Sequence, residues 1–364
     1  MWDVSKYAVP WLKSAKVYGL ADVDDAIRNP QRARMFVNEC PLAPSEKVVE
    51  AVTRAARHGN RYPGTSPELR ARIGRLYGAG AAQVLLVGGS SEIIDMAMRV
   101  FLQPGDEIVI PNPTFSMYEI RATVVGGKPV IVDTKPDLSY DIDAMLAAVT
   151  NKTKLIIVCN PNNPTGNFID ERELTRIVET GIPIFLDEAY LEFYPERESK
   201  VSWIARYPNI FVTHTFSKAF GLAGIRFGYM VGSEEMIKLF TKVQIPWSAS
   251  VMSLSAAEAI LDNQEELKRK RDLNRASIEY FCKALAEVPG LKPYHSHGNY
   301  MLVDASATGK ASKDIVDHAC KMGFMIKAMP PLHGRQGFFR ITPGTEEENR
   351  ALVKELKSFF GLHV

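Results

Sequence analysis

Only four cysteines occur in 364 residues, Cys40, Cys159, Cys282 and Cys320, and no two stand in a C-x-x-C spacing. That excludes a disulfide-built scaffold and a zinc ribbon, and suits reduced thiols in the cytoplasm. Excess charge is missing too. Lys+Arg number 44 against 42 Asp+Glu, a net +2, so no strong field recruits nucleic acid or an acidic membrane. No apolar run approaches the roughly 18 residues of a membrane span. The opening MWDVSKYAVPWLK lacks the apolar core of a secretory signal. Internal repeats and low-complexity segments are absent. What remains is 46% hydrophobic, and at about 100–200 residues per domain the length predicts two or three domains with a large core.

Short apolar runs alternate with amphipathic stretches. The runs are VLLV (84–87), EIVI (107–110), PVIV (129–132), LIIVC (155–159), IPIFL (182–186), IFVTH (210–214) and FGYMVG (227–232). Apolar on successive residues, they suit strands buried on both faces. Helical patterns lie between them, EIIDMAMRVF (92–101) and DERELTRIVET (170–180) among them, the second capped by Asp170 and stopped by Gly181. Ser45 is expected to cap a helix through residues 46–58, with Gly59 as its stop. This order predicts an α/β fold: a large, mainly parallel sheet with helices on both faces. Near residue 262 the pattern changes. NQEELKRKRDLNR (263–275) reads as a charged helix bridging two domains, its basic cluster a solvated face because acidic residues interleave. NYMLVD (299–304), FMIK (324–327) and FFRIT (338–342) then predict a smaller α+β unit.

Ligands of an open parallel sheet bind beyond the carboxyl ends of its strands, so the residues following each strand carry the information. VLLV is followed by Gly88-Gly89-Ser90-Ser91, LIIVC by Asn160 to Gly166, IPIFL by Asp187 to Tyr190, and IFVTH by Thr215 to Gly221 with Lys218 inside. Each piece has an ordinary reading: GGSSE as a turn, Asp187 as a helix cap, Lys218 as a surface lysine, Arg226 as a snorkelling strand residue. Together they describe a pyridoxal phosphate (PLP) site. Lys218 would condense with the aldehyde, Ser90, Ser91 and Arg226 would hold the phosphate, and Asp187 would pair with the pyridine nitrogen. Asn163 and Tyr190 would hydrogen-bond the ring hydroxyl. Phe115 would stack on the ring, with a core role as its alternative. His295 and His297 lack a carboxylate neighbour and read as surface or strand residues, so no metal is expected. His214, at a strand end, stays unassigned.

PNNPTGN (161–167), DEAYLEF (187–193) and TFSKAFGLAGIRFGY (215–229) resemble the fold-type I PLP-dependent aminotransferases of class I/II, and among them the histidinol-phosphate aminotransferases. NECPLAPS (38–45), NRYPG (60–64), PNPTFSMY (111–118) and FFRITPGT (338–345) extend the likeness over nearly the whole chain. The resemblance implies Lys218 as Schiff-base lysine and proton carrier. It implies Asp187 and Tyr190 as its catalytic companions, and Thr215 and Ser217 as further phosphate contacts. Tyr62 would reach the neighbouring site of a homodimer, and Arg340 would bind the substrate's carboxylate or phosphate. The family's N-terminal Pro-Tyr appears as Pro10-Trp11, and a second substrate arginine as Lys327, which keeps charge but loses the bidentate fork. Implied domains are 1–45, an arm and part of the small domain; 46–262, the large PLP domain; and 263–364, the small domain. The implied reaction moves an amino group from a histidinol phosphate-like donor to a 2-oxo acid. Aromatic amino acid transamination and decarboxylation of the threonine-phosphate type share these cofactor residues and stay open. GAGAAQ (78–83) precedes a strand instead of following one, which argues against a nicotinamide site.

Overall fold

The computed structural model describes residues 2–362. Among the described residues thirteen strands occur in chain order: β1 (Ala33–Arg34), β2 (Val84–Val87), β3 (Glu107–Asn112), β4 (Lys128–Asp133), β5 (Thr153–Cys159), β6 (Ile184–Asp187), β7 (Ile210–Thr215), β8 (Gly228–Val231), β9 (Lys292–Tyr294), β10 (Met301–Asp304), β11 (Phe324–Met325), β12 (Lys327–Ala328) and β13 (Phe338–Ile341). The seven apolar runs became β2 to β8, in one sheet of order β2-β8-β7-β6-β5-β3-β4. All its strands run the same way except β8, which is antiparallel to both β2 and β7.

Alternation along these strands feeds two cores. Ile156, Val158, Ile184, Leu186, Ile210 and Val212 face the helices Glu46–Ala56, Pro67–Arg75, Glu171–Val178 and Val251–Leu261. Leu155, Ile157, Phe185 and Phe211 face Ser90–Phe101, Met117–Val124 and Glu234–Val243. Burying one such side chain contributes about 1.5–3 kcal/mol, so both faces resist any shift of register. That stiffness makes the strand ends a fixed frame.

The second sheet, antiparallel and ordered β12-β13-β10-β9, is covered by Gln264–Ala286, Ser312–Lys321 and Glu346–Phe359. FMIK is split: β11 ends at Met325, Ile326 turns into the core, and β12 starts at Lys327. β11 pairs in parallel with β1, bringing residues from both ends of the chain together.

Asp170 caps its helix by accepting from Arg172 N (2.8 Å), and Gly181 follows that helix at φ +73°. The other expected cap differs. Ser45 occupies the cap position without a side-chain cap bond, because its hydroxyl accepts from Asn263 Nδ2 (3.3 Å). That helix ends at Ala56, short of Gly59, whose φ is not left-handed. The charged helix is also less solvated than expected: Glu266 and Lys270 are buried. No described helix is long and apolar enough to cross a membrane.

Candidate active site

β5, β6 and β7 run parallel and end side by side, and β2, beyond β8, runs in the same direction. One edge of the sheet therefore collects Asn160–Gly166, Asp187–Tyr190, Thr215–Gly221 and Gly88–Ser91. Asp187 is buried there. Its Oδ2 accepts from Tyr118 Oη (2.5 Å), and its Oδ1 from Ala189 N (3.0 Å) and Thr213 Oγ1 (3.2 Å). Burial pushes its carboxyl pKa up, and these hydrogen bonds oppose the shift. None of the described ion pairs involves Asp187. A buried carboxylate without a cationic partner suits the protonated nitrogen of a pyridine ring.

Lys218 Nζ donates to Asn38 O (3.0 Å) and Val37 O (3.4 Å), and lies 5.7 Å from the centre of the Tyr190 ring. Burial, then the neighbouring Arg340, lowers its pKa to about 8, against the opposing pull of Glu39. About a tenth of this amine is therefore uncharged at pH 7, far more than for an ordinary lysine, as attack on a carbonyl requires. Tyr190 Oη accepts from Asn38 Nδ2 (2.9 Å) and Asn163 Nδ2 (3.3 Å). Burial holds that phenol well above its usual pKa, so it stays protonated.

At the other end, Gly88-Gly89 leads into the helix Ser90–Phe101, and the first-turn amides of Ser90 and Ser91 have no acceptor within that helix. Gly89 has φ +106°, and a Cβ there would lie 2.4 Å from Arg226 Nη2. Only glycine permits that approach. Arg226 donates to Ala223 O (3.0 Å) and Ser217 Oγ (3.4 Å), and Thr215 Oγ1 donates to Ser217 Oγ (3.1 Å). A guanidinium, two hydroxyls and a helix N-terminus on one spot make an anion cradle. Amine, carboxylate and cradle together fit PLP.

Phe115 meets Tyr118 and Tyr18 edge-on, with centroids 5.8 and 6.1 Å apart. Arg340 Nη1 donates to Asn163 Oδ1 and Nη2 to Phe36 O, both at 2.7 Å, while its buried Nε has no partner. Lys327 and Arg340 are directly opposed across β12 and β13, hence on one face of the small sheet. Lys327 Nζ pairs with Asp22 Oδ2 (2.7 Å).

Two expected residues lie apart from this cluster. Trp11, expected at the substrate's phosphate, donates from Nε1 to Val124 O (3.0 Å) and lays its ring against Gly126. Its indole anchors the arm, and Tyr18 is the arm's aromatic that reaches Phe115. Tyr62 is 76% exposed and stacks on Trp247 at 4.3 Å. His214 is buried, with Nδ1 2.8 Å from Glu192 Oε1 and its ring stacked on Tyr229. Burial lowers its pKa, but Glu192 and Glu188 outweigh that and the net shift is upward. His297 Nδ1 meets Gly166 O (2.8 Å), and no group of three His, Cys, Asp or Glu among the described residues is placed to hold a metal.

Asn38, Tyr118, Thr213 and Tyr18 complete the cluster without having been singled out. Asn38 and Tyr118 lie inside NECPLAPS and PNPTFSMY, so their motifs were visible although their roles were not. Thr213 was recoverable from strand pairing, being opposite Asp187.

Residues 34–356 match the aminotransferases of class I and II. The chain belongs to this family. It is 34% identical over 336 residues to histidinol-phosphate aminotransferase 1 of Idiomarina loihiensis, covering 90% of this chain and 89% of that one. With the histidinol-phosphate aminotransferase of Methanosarcina barkeri it shares 34% over 362 residues, 98% and 95% of the two chains. A solved histidinol-phosphate aminotransferase of Sinorhizobium meliloti, in complex with pyridoxal-5′-phosphate, superposes with TM-score 0.84 at 25% identity over 97% and 98%. The protein is thus a PLP-dependent aminotransferase of fold type I, a family whose substrates are small molecules.

Proposed function

We propose that this aminotransferase takes its amino group from histidinol phosphate or a close phosphorylated amine, and passes it to a 2-oxo acid, with 2-oxoglutarate as the expected acceptor. The observation that carries this reading is the paired cations on one face of the small sheet, Arg340 and Lys327, beside Asn163 and Tyr190. A dianionic phosphate makes use of two cations, whereas the lone carboxylate of an aromatic amino acid needs only one. The relatives of similar length that are named for this substrate support it.

When bound, PLP supplies an aldehyde for amine exchange and a ring that accepts the electron pair left at the donor's Cα. The chain's residues do the rest. Lys218 would hold the cofactor through its Nζ and, once free, would take the proton from the donor's Cα as a base. Asp187 would face the ring nitrogen with a negative charge. Asn163 and Tyr190 would hydrogen-bond the ring oxygen, and Ser90, Ser91, Thr215, Ser217 and Arg226 would hold the phosphate. Arg340, with its unpartnered Nε, takes the donor's anionic group, and Lys327 reaches it by exchanging Asp22 for substrate. The exposed Tyr62–Trp247 stack supports a homodimer in which Tyr62 serves the neighbouring site. Four free cysteines suit a reducing cytoplasm.

Mixing PLP-loaded protein with L-histidinol phosphate, without any oxo acid, tests the donor. Prompt loss of the visible cofactor band, and its return on adding 2-oxoglutarate, is expected. An unchanged band would reject this donor, and release of carbon dioxide would replace transamination by decarboxylation.

A further inference from the structure

Lys270 belongs to the basic cluster that reads from sequence as a solvated face, yet it is only 2% exposed. Its Nζ donates to Phe220 O (2.8 Å) and pairs with Glu266 Oε1 (2.5 Å). Glu266 in turn accepts from Ser45 N (3.1 Å) and Asn263 Nδ2 (3.0 Å), so both charges of the pair have further hydrogen-bond partners. Burying two charges is costly unless geometry and further hydrogen bonds offset the lost water. Nothing in the packing of a helix demands it here.

The contacts show what the pair holds. Phe220 lies in a tight turn whose Gly221 N donates back to Lys218 O (2.9 Å). Gly221 has φ +68°, and a Cβ there would stand 2.9 Å from Lys270 Nζ and 3.1 Å from Cys40 Cβ. Lys270 is thereby wedged between the turn that carries Lys218 and the crossing segment 37–45. That same segment supplies both carbonyls that receive Lys218 Nζ.

We infer that Lys270 is a positioning residue for Lys218: its bond to the Phe220 carbonyl fixes the 218–221 turn against the 37–45 crossing. The inference rests on Lys218 being the cofactor lysine. Displacing a reacting group by about 1 Å costs up to roughly 10²-fold in rate, so a strut on this turn bears on catalysis without touching substrate.

The test uses PLP-loaded protein and the double variant Lys270→Met/Glu266→Leu, in which apolar groups replace the pair; such replacements are often neutral or stabilising. Glu266→Gln is the companion, since it keeps the bond to Phe220. The expected result for the double variant is a kcat lower by about 10- to 100-fold. The donor KM is expected to stay within about twofold, the pH midpoint of the visible cofactor band to move, and thermal stability to hold. Glu266→Gln should keep the wild-type band midpoint. A folded double variant with wild-type kcat and band midpoint would overturn the inference. Should it not fold, Lys270→Arg decides. Its guanidinium preserves charge but relocates the donor, so an unchanged kcat and midpoint would overturn the inference and a shift in both would support it. A Lys218→Ala control that kept the wild-type band would instead overturn the reading of Lys218 itself.

Discussion

The two halves of the proposed site, one for cofactor and one for substrate, are built in opposite ways. The cofactor half stands on the carboxyl edge of the large sheet, where each strand hands over within a few residues to the group it positions: Asp187 ends β6, and Lys218 follows β7 by three residues. The substrate half is assembled across the chain. Arg340 bonds to Phe36 O and Asn163, Thr342 meets Asn38, and Lys327 meets Asp22. The first is rigid because both faces of its sheet are buried. The second rests on contacts between the small sheet, the N-terminal segment and the large sheet's loops. On the proposed roles, chemistry falls to the strand-end half and donor selection to the half assembled across the chain.

Substitutions in the two halves should accordingly separate kcat from KM. Lys218→Ala would remove both the proposed cofactor attachment and the proposed proton carrier, and turnover should fall by about 10⁴-fold in stopped-flow assays. Asp187→Asn would remove the charge proposed to face the ring nitrogen. Turnover should fall by roughly 10²- to 10³-fold with a smaller change in donor affinity. Arg340→Met acts on the other half: the donor KM should rise by about 10- to 100-fold, as expected for losing a charge-assisted bond of about 1.5–3 kcal/mol. If Arg340→Met lowered kcat and left KM unchanged, the division of labour would be broken. Trp11→Leu should lower the melting temperature by a few degrees while kcat/KM holds, because its indole anchors the arm to Val124.

The lowered pKa of Lys218 sharpens the comparison by pH. Between about 8 and the usual lysine value the unfolded chain binds a proton that the folded apoprotein does not. Apoprotein stability relative to Lys218→Met should therefore rise with pH across that window. The rate of PLP uptake should rise likewise, with a midpoint near 8. A midpoint near 10.5 would mean that burial and Arg340 do not act on this amine.

The same contrast explains what the sequence revealed. The runs that became β2 to β8 were legible because strands buried on both faces leave an unbroken apolar signature. The gathering of Asp187, Lys218 and Ser90 at one sheet edge was legible because each follows or ends its strand directly. Lys270 was not, since its neighbours are solvated charges and only the fold buries it against Phe220. The position of Trp11 was not legible either: the Pro-aromatic pair pointed to a motif, whereas the indole packs where Gly126 leaves room that a side chain would fill. Asn38 bonds to Tyr190, 152 positions away, and no local pattern encodes such a contact.

The point of cofactor attachment is the most direct test of the proposed site. Borohydride reduction of the PLP-loaded protein, followed by peptide mass spectrometry, fixes the link irreversibly and locates it. The account predicts a single pyridoxyl label, on Lys218. A label on another lysine, or none at all, would contradict it.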